Sequence, residues 1–388
     1  MIKILFTGGG TGGHIYPILA VAEELQKISI ERKIEIELYY FGAPQNYQPL
    51  LIQNGISVSK IFSAKLRRYF DFRNLVDIPF FFLSIFQAFW KVFFLMPDAL
   101  FSKGGPGSLP IVLACWFYHI PVIIHESDSI PGLANKLAAR FAYRIGTSFA
   151  STAELFLKKI KKEEKKIKRQ NKIALIGNPI RQSLIENPLE RGIAKRIFGF
   201  DEQKPLIFVI GGSQGAIRIN DFILNASSEL IENWQILHQT GINNFSEVKN
   251  ELSVISKNWP EEKKNRYKIV SYLEKDLKDA YAAADIVVSR AGSGSIFEIA
   301  AFNKPAILIP LPEAAADHQI ANAYEYAKEG AGIVIEQANL GLNVFLNQLE
   351  KLFNEPDRLN QVFLAAKKFA KPEAAKIIAE ELVKLRNK

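Results

Sequence analysis

The chain is poor in the residues that build covalent and metal-held scaffolds. Of its 388 residues one is cysteine, Cys115, and two are methionine. A lone cysteine excludes an intramolecular disulfide and fits a reducing compartment. No D-x-D pair of carboxylates occurs, and Glu126-Ser127-Asp128 is the nearest approach. A magnesium-held diphosphate would therefore lack its usual ligands, and no cofactor is expected. The start lacks a charged-then-apolar leader, so a secreted protein is not expected. Acidic residues are outnumbered, 40 against 49 basic, for a net charge of +9. That excess favours an acidic partner: nucleic acid, a phosphate-rich substrate or an anionic membrane. No recognition-fold signature accompanies the charge, so nucleic acid is not expected.

Long apolar runs are scarce, with one exception. Residues 78–97, "IPFFFLSIFQAFWKVFFLMP", carry Ser84, Gln87 and Lys91 as their only polar side chains. The run approaches the length of a membrane span. Lys91 near its middle and Pro79 near its start argue against spanning and for a buried or surface-lying helix. Just upstream, "KLRRYFDFR" sets Lys65, Arg67, Arg68 and Arg73 among aromatics. Basic and aromatic residues together suit an interface with anionic lipid, so residues 65–94 are expected to meet a membrane surface peripherally. The bland alternative is a core helix with a solvated charged flank.

Glycine is what the chain has in concentrated form. "GGGTGGHIYP", residues 8–17, follows the apolar run Ile2–Phe6, and apolar spacing suited to a helix resumes over Ile15–Leu25. A glycine turn between strand and helix lets backbone N–H groups approach an anion. Gly8, Gly10 and Gly13 fit G-x-G-x-x-G, but the second strand run, "IELYYFGAP", lacks the acidic end that a dinucleotide needs. The P-loop reading fails as well, because His14 and Ile15 stand where Lys and Ser/Thr would handle phosphate and magnesium.

Strand-like and helix-like runs alternate to about residue 157. The charged stretch "KKIKKEEKKIKRQNK" at 158–172 reads as a solvated linker. The pattern then restarts: "PLIFVIGGSQGA", residues 205–216, is a second apolar strand entering a second glycine turn. Two successive doubly wound α/β domains are expected, 1–175 and 176–371, with the helix at 372–388 able to pack back on the first. Ligands in such sheets lie off the carboxyl ends of the strands, so two facing domains would form a cleft.

Seven motifs in order carry a resemblance: "GGGTGGHIYP", "SKGG", "HES…PGLANK", "GNPIR", "GGSQGA", "SRAGSGSIFEIA" and "DHQIANA". Across nearly its full length the chain resembles the MurG family. These glycosyltransferases move N-acetylglucosamine from UDP-N-acetylglucosamine onto undecaprenyl-diphosphate-linked muramyl-pentapeptide in peptidoglycan synthesis. The resemblance implies two Rossmann-like domains facing a cleft, the GT-B architecture, and an inverting enzyme at the cytoplasmic face of the cell membrane. It assigns donor contacts to Ser293, Gly294, Ser295, Ile296 and Phe297 at a helix start, the donor's phosphates to Ser213, and the ribose to Glu298. A helix N-terminus suits a diphosphate, and a carboxylate can accept two vicinal hydroxyls. It further implies donor contacts from Thr11, Gly12, Gly13, Arg181, Ser213 and Gln319, and backbone packing of Leu273 against uracil. Gln319 and Asn322, three apart, would share one helix face.

Gly10, Thr11, Gly12 and Gly13 are then expected to cradle the acceptor diphosphate. Transfer to a hydroxyl needs a general base, and His14 and Glu126 are the two candidates. Two departures from the family pattern stand out. Ser127 and Asp128 occupy positions that read Gln and Asn in part of the family, so a donor contact there is not carried over. Pro106 follows "SKGG" where an aromatic is frequent. Other readings remain open: a sugar-nucleotide 2-epimerase of similar architecture, a nicotinamide-binding oxidoreductase, or a non-catalytic nucleotide-sugar sensor.

Overall fold

The computed structural model describes residues 1–62, 73–160, 172–212, 215–314 and 317–387. Lys65, Arg67 and Arg68, most of the charged linker, and Ser213 lie outside them. The described chain divides into two compact units, Met1–Gln182 with Lys371–Lys388, and Ser183–Ala370.

The first unit is built on a seven-stranded sheet. Its strands are β1 (Ile2–Thr7), β2 (Ile36–Gly42), β3 (Ile56–Lys60), β4 (Ala99–Ser102), β5 (Val122–Glu126), β6 (Arg144–Thr147) and β7 (Ile173–Leu175), in the order β3-β2-β1-β4-β5-β6-β7. Every pairing is parallel. Such sheets are covered on both faces, which is why these strands read as continuous apolar runs. The order reverses direction at β1 and β4, and loops leaving these two strand ends are where doubly wound sheets bind ligands.

The helix Gly12–Arg32 covers one face through Ile15, Ile18, Leu19, Ala22 and Leu25. The C-terminal helix Ala374–Lys384 joins the same core through Ile378, Ala379 and Leu382, and Glu381 pairs with Arg144 at 3.1 Å. The first unit also keeps "GNPIR", which the sequence reading placed in the second domain from 176. The physical reason is local: Gly177 and Asn178 hydrogen-bond to His125, Lys103 and Ser127, and the Arg181 guanidinium lies 5.0 Å over the Tyr16 ring.

The second unit repeats the plan with β8 (Leu206–Ile210), β9 (Gln235–Gln239), β10 (Tyr267–Val270), β11 (Ile286–Ser289), β12 (Ala306–Leu308) and β13 (Gly332–Val334). Its order is β10-β9-β8-β11-β12-β13, all parallel, so the reversal falls between β8 and β11.

The apolar segment forms the helix Arg73–Leu95. Among the described residues no helix is long and apolar enough to cross a membrane. Ser84, Ala88 and Val92 point inward, and Lys91 is tied down by Ser59 Oγ at 2.6 Å and the Lys60 carbonyl at 2.8 Å. The other face is aromatic and open: Phe82, Phe86, Trp90, Phe93 and Phe94 are each more than half exposed. Phe117, also more than half exposed, extends that patch with its ring 5.2 Å from that of Phe89. The helix is therefore a surface helix and not a core one.

Candidate active site

In the first unit three loops converge at the carboxyl ends of β1, β4 and β5. The glycine turn after β1 runs into the helix that starts at Gly12, with Thr11 in the cap position. Helix starts leave N–H groups without intrahelical partners, and nothing lies within 4 Å of where a side chain on Gly13 would begin. The end is thus open to a ligand. Elsewhere the loop is closely packed: a Cβ on Gly10 would sit 2.6 Å from the Ala43 carbonyl oxygen. The Tyr40 hydroxyl fixes the turn by donating to the Gly8 carbonyl at 2.8 Å.

His14 stands in the first turn of this helix. Its Nδ1 is 2.8 Å from Thr11 Oγ1. Its Nε2 faces Gly105 of the loop after β4, 3.5 Å from where a Cβ there would lie. Burial and the Lys103 charge lower its pKa to about 4, with Asp128 opposing. The imidazole is therefore neutral at pH 7. When Nδ1–H donates to Thr11, Nε2 is the proton acceptor.

Glu126, the other candidate base, ends β5. Its Oε2 accepts from the Gly132 amide at 2.9 Å and Asn135 Nδ2 at 3.0 Å, and its Oε1 from the Asp128 amide at 3.2 Å. Burial and Asp128 raise its pKa, while the bonds from Asn135 and Gly132 and the charge of Lys103 oppose. The carboxylate is spent on shaping its own loop.

One residue of this cluster was not singled out from sequence. Lys103 follows β4 and is 3% exposed. Its Nζ donates to His125 Nδ1 at 2.8 Å, to Asn178 Oδ1 at 3.3 Å and to Ser127 Oγ. His125 Nε2 faces the Gly177 carbonyl at 2.8 Å, which fixes the tautomer with the proton on Nε2. The available signal was a single lysine closing an apolar strand, quoted above only as part of "SKGG".

In the second unit the helix Ser293–Ala301 starts after β11, at the sheet's reversal. Positions 292 and 294 have open space where a Cβ would project. Ser293 Oγ is buried without a hydrogen-bond partner among the described residues. Glu298 Oε2 accepts from Tyr281 Oη at 3.0 Å, and the Tyr281 ring is fully buried against Phe302 and Phe208.

The remaining second-unit positions divide clearly. Ile296 and Phe297 put their side chains in the core, so only their backbone can face a ligand. Leu273 is buried, and its N–H already donates to Gln239 Oε1 at 2.9 Å. Gln239 Nε2 reaches the Gly212 carbonyl at 3.4 Å, linking the glycine turn after β8 to the Leu273 loop. Sequence reasoning missed that bridge, although a glutamine ending an apolar strand was its visible sign. Gln319 Oε1 accepts from the Leu311 amide at 3.1 Å. Asn322, three residues on, is fully buried and donates to the Ala291 carbonyl at 3.2 Å. Among the described residues no three His, Cys, Asp or Glu side chains gather as a metal site.

The chain matches the glycosyltransferase family 28 N-terminal domain over residues 4–147 and the family 28 C-terminal domain over 206–378. It is 35% identical over 385 residues to a Bacillus cereus protein, covering 98% of this chain and 99% of that one. That relative is named UDP-N-acetylglucosamine–N-acetylmuramyl-(pentapeptide) pyrophosphoryl-undecaprenol N-acetylglucosamine transferase 2. The chain belongs to the MurG family of glycosyltransferases. Its fold is also that of the solved Acinetobacter baumannii MurG, with a TM-score of 0.73 at 24% identity, covering 99% of this chain and 100% of that one. A Neisseria meningitidis UDP-GlcNAc 2-epimerase shares the fold at TM-score 0.67 and 13% identity, with the same coverage. The two departures from the MurG pattern can be placed. Ser127 partners Lys103 and Asn178, and Asp128 adds its charge beside His14. Pro106 opens a short 3-10 turn, Pro106–Ser108.

Proposed function

We propose that the chain transfers N-acetylglucosamine from UDP-N-acetylglucosamine to lipid-linked muramyl-pentapeptide in peptidoglycan synthesis, with inversion at the transferred carbon. The observation that carries this reading is the occurrence, in a chain of this family, of two open glycine-led helix starts, one in each unit. Both substrates of such a reaction carry a diphosphate, and a helix N-terminus is its natural receptor.

Under this reading Gly10–Gly13 hold the acceptor diphosphate, and Arg181, expected from the sequence to touch the donor, instead adds its positive charge beside Tyr16 of that helix. His14 Nε2 takes the proton from the acceptor sugar hydroxyl as its oxygen bonds to the donor's anomeric carbon. The bond from that carbon to the UDP oxygen breaks, and UDP leaves with the electron pair. The start of Ser293–Ala301, with the buried Ser293 hydroxyl, stabilises the growing charge on the leaving diphosphate. Glu298 takes the ribose hydroxyls, and Gln319, with Oε1 engaged, offers its amide N–H groups to a sugar hydroxyl. Glu126 acts by holding the loop beside His14. The test is UDP release from UDP-N-acetylglucosamine with and without the lipid acceptor. Release that requires the acceptor is expected; conversion of the donor alone to its 2-epimer would support the epimerase reading instead.

The aromatic face of Arg73–Leu95 and the basic run before it support peripheral attachment to an anionic membrane at the cytoplasmic face. Each basic residue near such a surface contributes roughly 1 kcal/mol, screened by salt. Replacing Lys65, Arg67, Arg68 and Arg73 by glutamine is expected to release the protein from phosphatidylserine-containing vesicles at moderate salt in a flotation assay. Undiminished flotation of the fourfold variant would contradict the electrostatic part of this attachment.

A further inference from the structure

We propose that Lys103 is a positioning residue for the acceptor. Its buried ammonium ties the loops after β4, β5 and β7 together and holds a fixed positive charge beneath the glycine turn for the acceptor's diphosphate. The inference rests on the assignment of the acceptor to the first unit.

Geometry carries it. Three chain segments far apart in sequence meet at one nitrogen: Lys103 itself after β4, His125 and Ser127 at and just beyond the end of β5, and Asn178 after β7. Lys103 also abuts the glycine turn, since a Cβ on Gly8 would lie 3.3 Å from Lys103 Cβ and 3.4 Å from His14 Cβ. All three hydrogen-bond partners of the ammonium are neutral. His125 is held in the neutral form, its pKa pushed well below the ordinary imidazole value by burial and by Lys103 itself. A structural lysine would be expected to bury its charge against a carboxylate. Here Glu126 and Asp128 act on it only through space, and the charge is left to draw an anion to the reversal point of the sheet. His14, from the helix after β1, is the other titratable group within its field.

The charge is also titratable within a working range. Burial lowers the Lys103 pKa to about 8, with Glu126 and Asp128 opposing. The ammonium is therefore present below that pH and lost above it, so kcat/KM for the acceptor falls on a basic limb near pH 8.

Two variants test this with UDP-N-acetylglucosamine and the lipid acceptor. Lys103→Gln keeps N–H donors but removes the charge. Acceptor KM is expected to rise roughly tenfold, the scale of one partly screened charge, with the UDP-sugar dissociation constant unchanged and the basic limb gone. Asn178→Asp sets a carboxylate beside the ammonium, which stays charged to higher pH, so the basic limb moves up. A merely structural lysine would lower activity without moving the limb. A limb unmoved in Asn178→Asp, or an unchanged acceptor KM in folded Lys103→Gln, would overturn the proposal. Should Lys103→Gln not fold, Asn178→Asp decides alone. Absence of transfer by the unaltered protein would instead remove the functional reading beneath it.

Discussion

His14→Ala is expected to lower turnover by ~10²–10⁴-fold, the usual contribution of a positioned general base, while leaving the affinity for UDP-N-acetylglucosamine nearly intact. Donor affinity survives because most of the donor contacts proposed here belong to the second unit. The pH dependence sharpens the expectation. An unperturbed histidine would give an acidic limb near the ordinary imidazole value of about 6.5, but in the free protein burial and Lys103 bring His14 to about 4. Below that pH Nε2 is protonated and cannot accept the hydroxyl proton. The acidic limb of kcat/KM, which reports the free enzyme, should therefore fall near pH 4 and vanish in His14→Ala. The kcat limb, which reports the substrate-bound state, should lie higher, because a bound diphosphate favours the imidazolium. Glu126→Gln is the control. Asn135 and Gly132 remain as donors to the new amide oxygen, so a smaller loss is expected than in His14→Ala. A larger loss, with the acidic limb persisting in His14→Ala, would transfer the base role to Glu126.

Glu298→Ala should weaken UDP-sugar binding by roughly 2 kcal/mol, about 30-fold, through lost hydrogen bonds to a charged group. Because Tyr281 Oη donates to Glu298 Oε2, the substitution also strands a buried hydroxyl. Stability should fall by about 1–3 kcal/mol, the cost of an unsatisfied buried donor. Glu298→Gln retains an acceptor for Tyr281 and should spare most of that stability while still weakening the ribose contact. Calorimetry with the UDP-sugar and thermal unfolding read the two effects separately. Unchanged affinity in Glu298→Ala would move the ribose contact elsewhere.

The two-unit plan was legible because its signals are local. An apolar run, a glycine turn and a helix period recur at residues 2–25 and 205–225, and the apolar runs and helix periods form the expected strands and helices. His14 could be named because it lies in the first turn of a helix that the pattern itself predicts, and Glu298 because its motif resembles that of the family. What stayed hidden depends on pairings across the sheet. Lys103 gains its meaning only when the ends of β4, β5 and β7 are brought side by side, and no spacing in the sequence relates Lys103 to Asn178. Gln239 is a similar case, since its two partners, Gly212 and Leu273, come from loops on either side of it in the chain. Asn322 shows what spacing leaves open. A three-residue spacing from Gln319 placed it on a helix face but could not say that Asn322 packs inward onto the Ala291 carbonyl. The apolar segment 78–97 was ambiguous for a related reason. Periodicity alone does not say which helix face a neighbouring strand covers, and Lys91 resolved it by binding the β3 end.

The central claim is tested most directly by the product. The protein is incubated with UDP-N-acetylglucosamine and lipid-linked muramyl-pentapeptide, and the lipid fraction is analysed by mass spectrometry and NMR. The account predicts a disaccharide lipid one N-acetylhexosamine heavier than the acceptor, with the configuration at the transferred carbon inverted from that of the donor. An acceptor recovered unchanged, or a disaccharide with retained configuration, would contradict it.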